Sequence, residues 1–288
     1  MPRSSEHIRL LTNEDAPYIQ HLLQTSEYVY QRFTFEELST LLTHYPAVGL
    51  FNGTSLRSFL LSQTVRAPSA WIGGFCVSWT ESRAYLSMLF TLLDRLEPLL
   101  IAKGVRYLHY SGNDIENDWL RTDLLTRGFF PYRLLYSYDK LDYSIPTEGN
   151  QEVRTRRAEA SDIPVLLNIE EQCFEELWRY DSISLRDIAA THPYFVVAEL
   201  NGQVVGYQFN ALDGEFGYLI RIAVLPSFNG HRIGARLMAE AIRFFERERV
   251  IRIMLNTQDD NVHAHRLYEW FGFIRIAQRG FVLRKVLG

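Results

Sequence analysis

The stretch "RIAVLPSFNGHRIGARLM", Arg221 to Met238, carries the reading that decides the fold. It completes the apolar run "GEFGYLIRIAVLP", which reads as a long strand, and leads straight into a helix in which Ile233, Leu237, Ala241 and Phe244 recur at helical spacing. A helix that begins this abruptly exposes unpaired N–H groups and the positive end of its dipole, a ready seat for an anion. Gly230 lets the turn take a conformation other residues resist, and Gly234 lets backbone approach a phosphate or a neighbouring strand. His231, Arg232 and Arg236 add local positive charge. Glycine spacing alone favours an ordinary strand-to-helix connector. The turn is neither a P-loop, since no Gly-Lys-Ser/Thr follows, nor the G-x-G-x-x-G of a dinucleotide fold.

Working outward, "YFVVAELNGQVVGYQFNAL" reads as two strands joined at Asn201-Gly202, a strong hairpin signal. "VIRIMLNT" is a further buried strand, "NVHAHRLYEWFG" a helix capped by Asn261 and ended by Gly272, and "FIRIAQRGFVLRKVL" two closing strands. "VRTRRAEASDIPVLLNIEEQCF" supplies the opening strand and helix. The order strand, helix, three strands, helix, strand, helix, two strands gives an α/β class protein, a mixed α+β sheet flanked by helices.

The same grammar occurs earlier in the chain. Asp15-Ala16-Pro17 precedes Asp162-Ile163-Pro164 by 147 residues, and the Gly-Phe after "WLRTDLLTR" precedes that after "AHRLYEWF" by 144. Two similar offsets point to a duplicated domain, with residues 1–145 and 151–288 as the copies and "LDYSIPTEGNQEV" as the linker. The length of 288 residues accommodates two ordinary domains. A net charge of -4 gives no basic footprint for nucleic acid, and no apolar run reaches membrane-spanning length. Two cysteines, Cys76 and Cys173, are too few for a disulfide framework or thiolate metal site, so a cytoplasmic, unexported protein without metal is the expectation. His263 and His265 point in different directions on a helix and read as surface residues; Trp178 and Tyr180 read equally as acceptor-site lid or core.

The ordered set "RIAVLP", "NGHRIGARLM" and "LNTQDDNVHAHRLYEWFGF" resembles the GNAT superfamily of acetyl-CoA-dependent N-acyltransferases. Asn261, Ala264, Leu267, Tyr268, Gly272 and Phe273 stand at the spacing of that family's last motif, whereas Asn229 and Arg232 depart from its turn. The resemblance implies two GNAT-like domains, each a mostly antiparallel mixed sheet flanked by helices, with the first copy degenerate: it lacks the glycine turn, and Leu124 stands where Tyr268 stands in the second. It implies that Ile222, Ala223 and Val224 line the pantetheine arm of acetyl-CoA through backbone groups, with an N–H near Val224 polarising the carbonyl. Asn229, Gly230, His231, Arg232, Ile233, Gly234 and Ala235 would hold the pyrophosphate, and Asn256 and Asn261 would contact the cofactor. Tyr268 would act as general acid on the leaving thiolate. The family often places a base on the strand before the tyrosine helix, where Asn256 stands; Glu215, Glu175 and Glu176 are then the candidates. The implied activity is acetyl or short-acyl transfer from coenzyme A to a primary amine of a small molecule or peptide, with a homodimer as the candidate assembly. The rival is a non-catalytic acyl-CoA-binding or interaction protein.

Overall fold

The computed structural model describes residues 6–288; the first five lie outside the described residues. The chain divides into two compact units. One holds the residues up to Gly112, Glu116–Tyr132 and Val282–Gly288; the other holds Asn113–Ile115 and Arg133–Phe281.

The first unit is built from β1 (Glu6–Leu10), α1 (Ala16–Thr25), β2 (Val29–Gln31), α2 (Leu38–His44), β3 (Ala47–Asn52), β4 (Ser55–Arg66), β5 (Ser69–Val77), α3 (Tyr85–Ile101), β6 (Tyr107–Gly112) and α4 (Arg121–Thr126). Its sheet runs in the order β1-β3-β4-β5-β6, with β2 against β5. All these pairs are antiparallel except β5 and β6, which run parallel over Ser69–Trp71 and Tyr107–His109. Ile19, Leu22, Phe59 and Leu61 anchor its core, each fully buried chain contributing about 2 kcal/mol of transfer free energy.

The second unit holds most of β7 (Phe130–Lys140), then β8 (Arg154–Arg157), α5 (Ile163–Cys173), α6 (Ser182–Thr191), β9 (Tyr194–Leu200), β10 (Gln203–Asp213), β11 (Phe216–Val224), α7 (Ile233–Arg247), β12 (Arg252–Gln258) and α8 (Val262–Trp270), and β13 (Ile274–Val286) up to Phe281. Its sheet order is β7-β12-β11-β10-β9-β8. The β9–β10 hairpin turns at Asn201 and Gly202, whose φ of 52° and 77° suit the tight turn the sequence signals. One face of β10 and β11 packs on α5 and α6 through Leu166, Ile169, Leu185, Tyr207 and Phe209; α7 covers another core with Met238, Ala241, Ile242 and Phe245.

Four details differ from the sequence reading. α6 is an added helix, started by the Asp181 carboxylate, which accepts the Ser184 N–H at 2.7 Å. The two closing strands are one, because Gly280 lies inside continuous extended backbone. The segment read as a linker is anchored: the buried Lys140 ammonium donates to Asp142 and Ser144, and Asn150 N–H donates to Arg232 O at 3.2 Å. Arg133–Lys140, on the first-copy side of the expected boundary, lies in the second unit and pairs antiparallel with β12.

Candidate active site

β11 and β12 run parallel over only Phe216–Tyr218 and Arg252–Met254. Beyond Tyr218 that pairing stops, so Leu219–Val224 leave the edge toward β12 open, while the other edge stays bonded to β10 from Leu219 to Val224. A bulge at Ile220 re-aims the strand where the gap begins, and the Ile220 side chain is exposed. An open strand edge offers N–H and C=O groups to an extended ligand arm, and Ile222, Ala223 and Val224 lie on this stretch. The Val224 carbonyl takes one internal bond, from the Cys173 thiol at 3.2 Å. Burial pushes that thiol up to about 11, so it stays protonated.

Past Val224 the chain makes a short turn at Pro226–Phe228 and enters α7. Asn229, Gly230, His231 and Arg232 are exposed, whereas Ile233 and Ala235 bury their side chains in the core. Arg232 is the N-cap with φ 57° and makes no side-chain cap bond; the first bond of the helix ladder is Arg236 N–H to Arg232 O at 3.1 Å. The helix therefore opens on an uncapped mouth lined by backbone donors. Gly230, with φ 82°, supplies the left-handed turn.

α8 stands beside this mouth, with Leu267 at 3.5 Å from the Cβ position of Gly234. Asn261 uses both ends of its amide internally: the oxygen accepts Ala264 N–H at 3.2 Å, and the nitrogen donates to Thr257 at 3.1 Å. Tyr268 is buried in the same apolar cluster as Ala235 and Leu219, with Ile222 and Leu267 packed against it. Burial raises its phenol well above the ordinary tyrosine range, with the Arg221 guanidinium opposing, so Tyr268 is held as a neutral O–H. Ile222, Ala235 and Tyr268 thus share one apolar cluster, with Gly234 beside its Leu267.

The proposed bases do not join them. Glu215 sits exposed at the closed end of β11, where its carbonyl accepts Ile251 N–H; Val224 is nine residues along an extended strand, about 30 Å away. Glu175 and Glu176 are exposed at the short turn after α5, Glu175 lying 3.5 Å from Arg133. Asn256 is exposed on β12, opposite Ser137 of β7.

A buried ionic cluster beneath this turn escaped the sequence reading. Glu170 of α5 is 1% exposed; one of its oxygens accepts the Tyr207 hydroxyl and the other the Tyr180 N–H at 2.6 Å. Arg221, from the heart of β11, lies 3.8 Å from Glu170, donates to Trp178 O and stacks over the Phe174 and Tyr180 rings at 3.9 and 4.4 Å. The Phe174–Tyr180 segment is therefore pinned to the sheet, and Trp178 and Tyr180 are half-buried parts of a fixed wall. The signal was a carboxylate on the helical stripe that Ile163 and Leu166 mark as apolar.

His265 also departs from expectation: it is half-buried, with Nδ1 2.7 Å from the Tyr138 hydroxyl. Among the described residues no His, Cys, Asp or Glu group is arranged to hold a metal.

Residues 163–273 match the acetyltransferase (GNAT) family. They form a GNAT acetyltransferase domain. Among curated proteins, the spore coat polysaccharide biosynthesis protein SpsD of Bacillus subtilis is 38% identical over 78 residues, 27% of this chain and 27% of that protein. The mycothiol acetyltransferase of Frankia casuarinae is 30% identical over 92 residues, 28% of this chain and 27% of its own length. Each match thus spans about a quarter of the relative. A tandem GNAT protein from the clavulanic acid biosynthesis pathway has the same fold over 99% of both chains, at 13% identity and a TM-score of 0.68. The fold of the whole chain is that of a tandem GNAT protein.

Proposed function

We propose that the GNAT domain moves an acetyl or other short acyl group from acetyl-CoA to a primary amine of a small molecule or peptide, and that residues 1–145 form a degenerate copy without that activity. The observation that carries this reading is the parting of β11 and β12 after three pairs, with an uncapped helix mouth at one end and a buried tyrosine beside it. These groups fit acetyl-CoA: the open edge at Ile222–Val224 suits the amide-bearing arm, and the N–H groups from Ile233 to Ala235 suit a pyrophosphate without needing the side chains of Asn229 or Arg232. Acetyl-CoA would supply an activated thioester.

The chain's own contribution is binding and proton placement. An N–H near Val224 polarises the carbonyl under attack. Tyr268 gives its proton to the departing sulfur; a thiolate in water binds a proton at a pKa of about 8.5, and the apolar surroundings that hold Tyr268 neutral raise the thiolate's demand in step. No role as base falls to Glu170, whose oxygens are already engaged. The ammonium, with a pKa of about 10, gives up one proton to water before attack, so the rate should climb with pH toward that value, and the second proton, shed by the nitrogen as the C–S bond breaks, returns through water to Tyr268. The pinned Phe174–Tyr180 wall is the natural rim of the acceptor site, and the free thiols of Cys76 and Cys173 suit a reducing cytoplasm.

Thiol release from acetyl-CoA against a panel of an amino sugar, an alanine-led peptide and a diamine tests the reading. Turnover with one of them is expected, and Tyr268→Phe should lower kcat by about 100-fold with acetyl-CoA affinity nearly unchanged. Binding of acetyl-CoA without turnover by any amine would leave a non-catalytic acyl-CoA-binding protein.

A further inference from the structure

We infer that Tyr138, from the strand that precedes the linker, is a positioning residue for Tyr268, acting together with His265; this rests on the role proposed for Tyr268. β7 offers Tyr136 and Tyr138 on one face, since residues two apart in a strand point the same way. α8 lies against that face. The His265 ring sits 5.7 Å from Tyr136 and 5.8 Å from Tyr138, centroid to centroid, and Tyr268, one turn on, meets Tyr138 edge to face at 5.8 Å. His265 and Tyr268 are three apart in a helix and share its inner side. Tyr138 thus touches both.

The hydrogen bonds fix the direction of this contact. His265 Nε2 lies 3.2 Å from the Asp259 carbonyl, which can only accept, so Nε2 carries the ring proton. With the proton on Nε2 alone, Nδ1 is an acceptor, and the Tyr138 hydroxyl 2.7 Å away donates to it. Burial, and after it the neighbouring Glu269 carboxylate, keep Tyr138 protonated and able to donate. With its hydroxyl tethered at His265 and its ring against Leu255 of β12 in the same cluster, Tyr138 has little rotational freedom. Its edge, with Phe273 at 6.2 Å, boxes the Tyr268 ring and so fixes where the Tyr268 hydroxyl points. Proton transfer to a departing sulfur depends on that direction; displacement of a catalytic group by about 1 Å costs up to roughly 100-fold in rate.

The test measures thiol release by the full chain with the fastest amine of the panel, for Tyr138→Phe, Tyr138→Leu and His265→Ala, each also in the Tyr268→Phe background. Expected are kcat losses of about tenfold for Tyr138→Leu and about threefold for Tyr138→Phe and His265→Ala, with KM for acetyl-CoA unchanged. In the Tyr268→Phe background the same changes should cost nothing further, because their effect runs through that hydroxyl. Losses that persist there, or a normal kcat for both Tyr138→Leu and His265→Ala, overturn the proposal while leaving Tyr268 in its role. An unchanged rate for Tyr268→Phe alone, or no turnover with any amine, overturns both readings. His265→Ala keeps the test decisive if Tyr138→Leu does not fold.

Discussion

Glu170 and Asp162 are two buried carboxylates, and their partners determine what each does for the fold. Glu170 accepts from the Tyr207 hydroxyl and Tyr180 N–H with Arg221 alongside, so Glu170→Gln would turn its amide N–H₂ either toward the Tyr180 N–H, which can only donate, or toward the Tyr207 hydroxyl, which would have to reverse its bond and accept, and would leave Arg221 without its counter-charge. A loss on the order of 3 kcal/mol is expected, measured by urea unfolding, since breaking a buried pair costs more than the pair contributes. Asp162 accepts two bonds from Arg156 at 2.7 and 2.8 Å and one from Glu159 N–H at 2.8 Å. The Arg156 hydrogen bonds, chiefly, hold its carboxyl below the ordinary 3.8, with Glu159 N–H assisting against the cost of burial. A depressed folded value means the stabilisation is complete above the unfolded value and fades as pH falls through the folded one. Asp162→Asn should therefore flatten the fall in Tm below about pH 4 as well as lowering Tm at pH 7. Tyr268 was legible in the sequence because a motif surrounds it at fixed spacing. Glu170, Arg221 and Tyr207 were not, since they are scattered across α5, β11 and β10 and only tertiary packing brings them together. Asn261 was legible twice over, as cap and as motif residue, and its internal bonds establish the cap.

At the level of elements, α7 begins on a residue in a conformation it disfavours. Arg232 sits in the left-handed region at φ 57°, the position where the GNAT pattern has glycine and where this chain departs from it. The departure was visible in the sequence; its conformational cost was not, because nothing in a sequence reports φ. Arg232→Gly should remove a left-handed penalty of about 1–2 kcal/mol and return part of it as lost chain entropy in the unfolded state. A net gain of about 0.5–1 kcal/mol in thermal or urea unfolding is expected, and Arg232→Val should lose at least as much. Strong local signals located the other elements well: Asn201-Gly202 fixed a hairpin, and the Asn261 to Gly272 span fixed α8. Weak ones misled. The run "FIRIAQRGFVLRKVL" reads as two strands where the extended backbone makes one, and α6 was hidden because its buried apolar residues, Leu185 and Ile188, are too few to show a period.

For the whole molecule, the duplication is readable in three dimensions as well as in offsets. Arg9, Thr12 and Asp15 repeat as Arg156, Glu159 and Asp162, each trio 147 apart and each joining an arginine, a backbone N–H and a buried aspartate. Each unit has a parallel pair of strands matched over three residues before that pairing stops. Gly128 and Gly272 close α4 and α8 at φ 87° and 79°. What offsets cannot reveal is which strand completes which sheet. β7 follows α4 in the chain yet pairs with β12, while Val282–Gly288, past the end of the second copy's motifs, belongs to the first unit, where Lys285 bonds Glu97 and Leu287 N–H donates to Arg106 O. A cut at the linker therefore does not separate two folding units. Residues 151–288 alone would lack the six residues of β7 that pair with Ile253–Gln258, leave that edge of β12 bare, and expose Leu255 and Phe271 where Tyr138 now packs. Residues 133–288 restore that strand, and should show a cooperative unfolding transition and a dispersed near-UV spectrum where residues 151–288 show a broad transition or aggregate. Equal cooperativity in the two fragments would mean that the GNAT domain closes its sheet without the borrowed strand, and that the exchange contributes nothing to its stability.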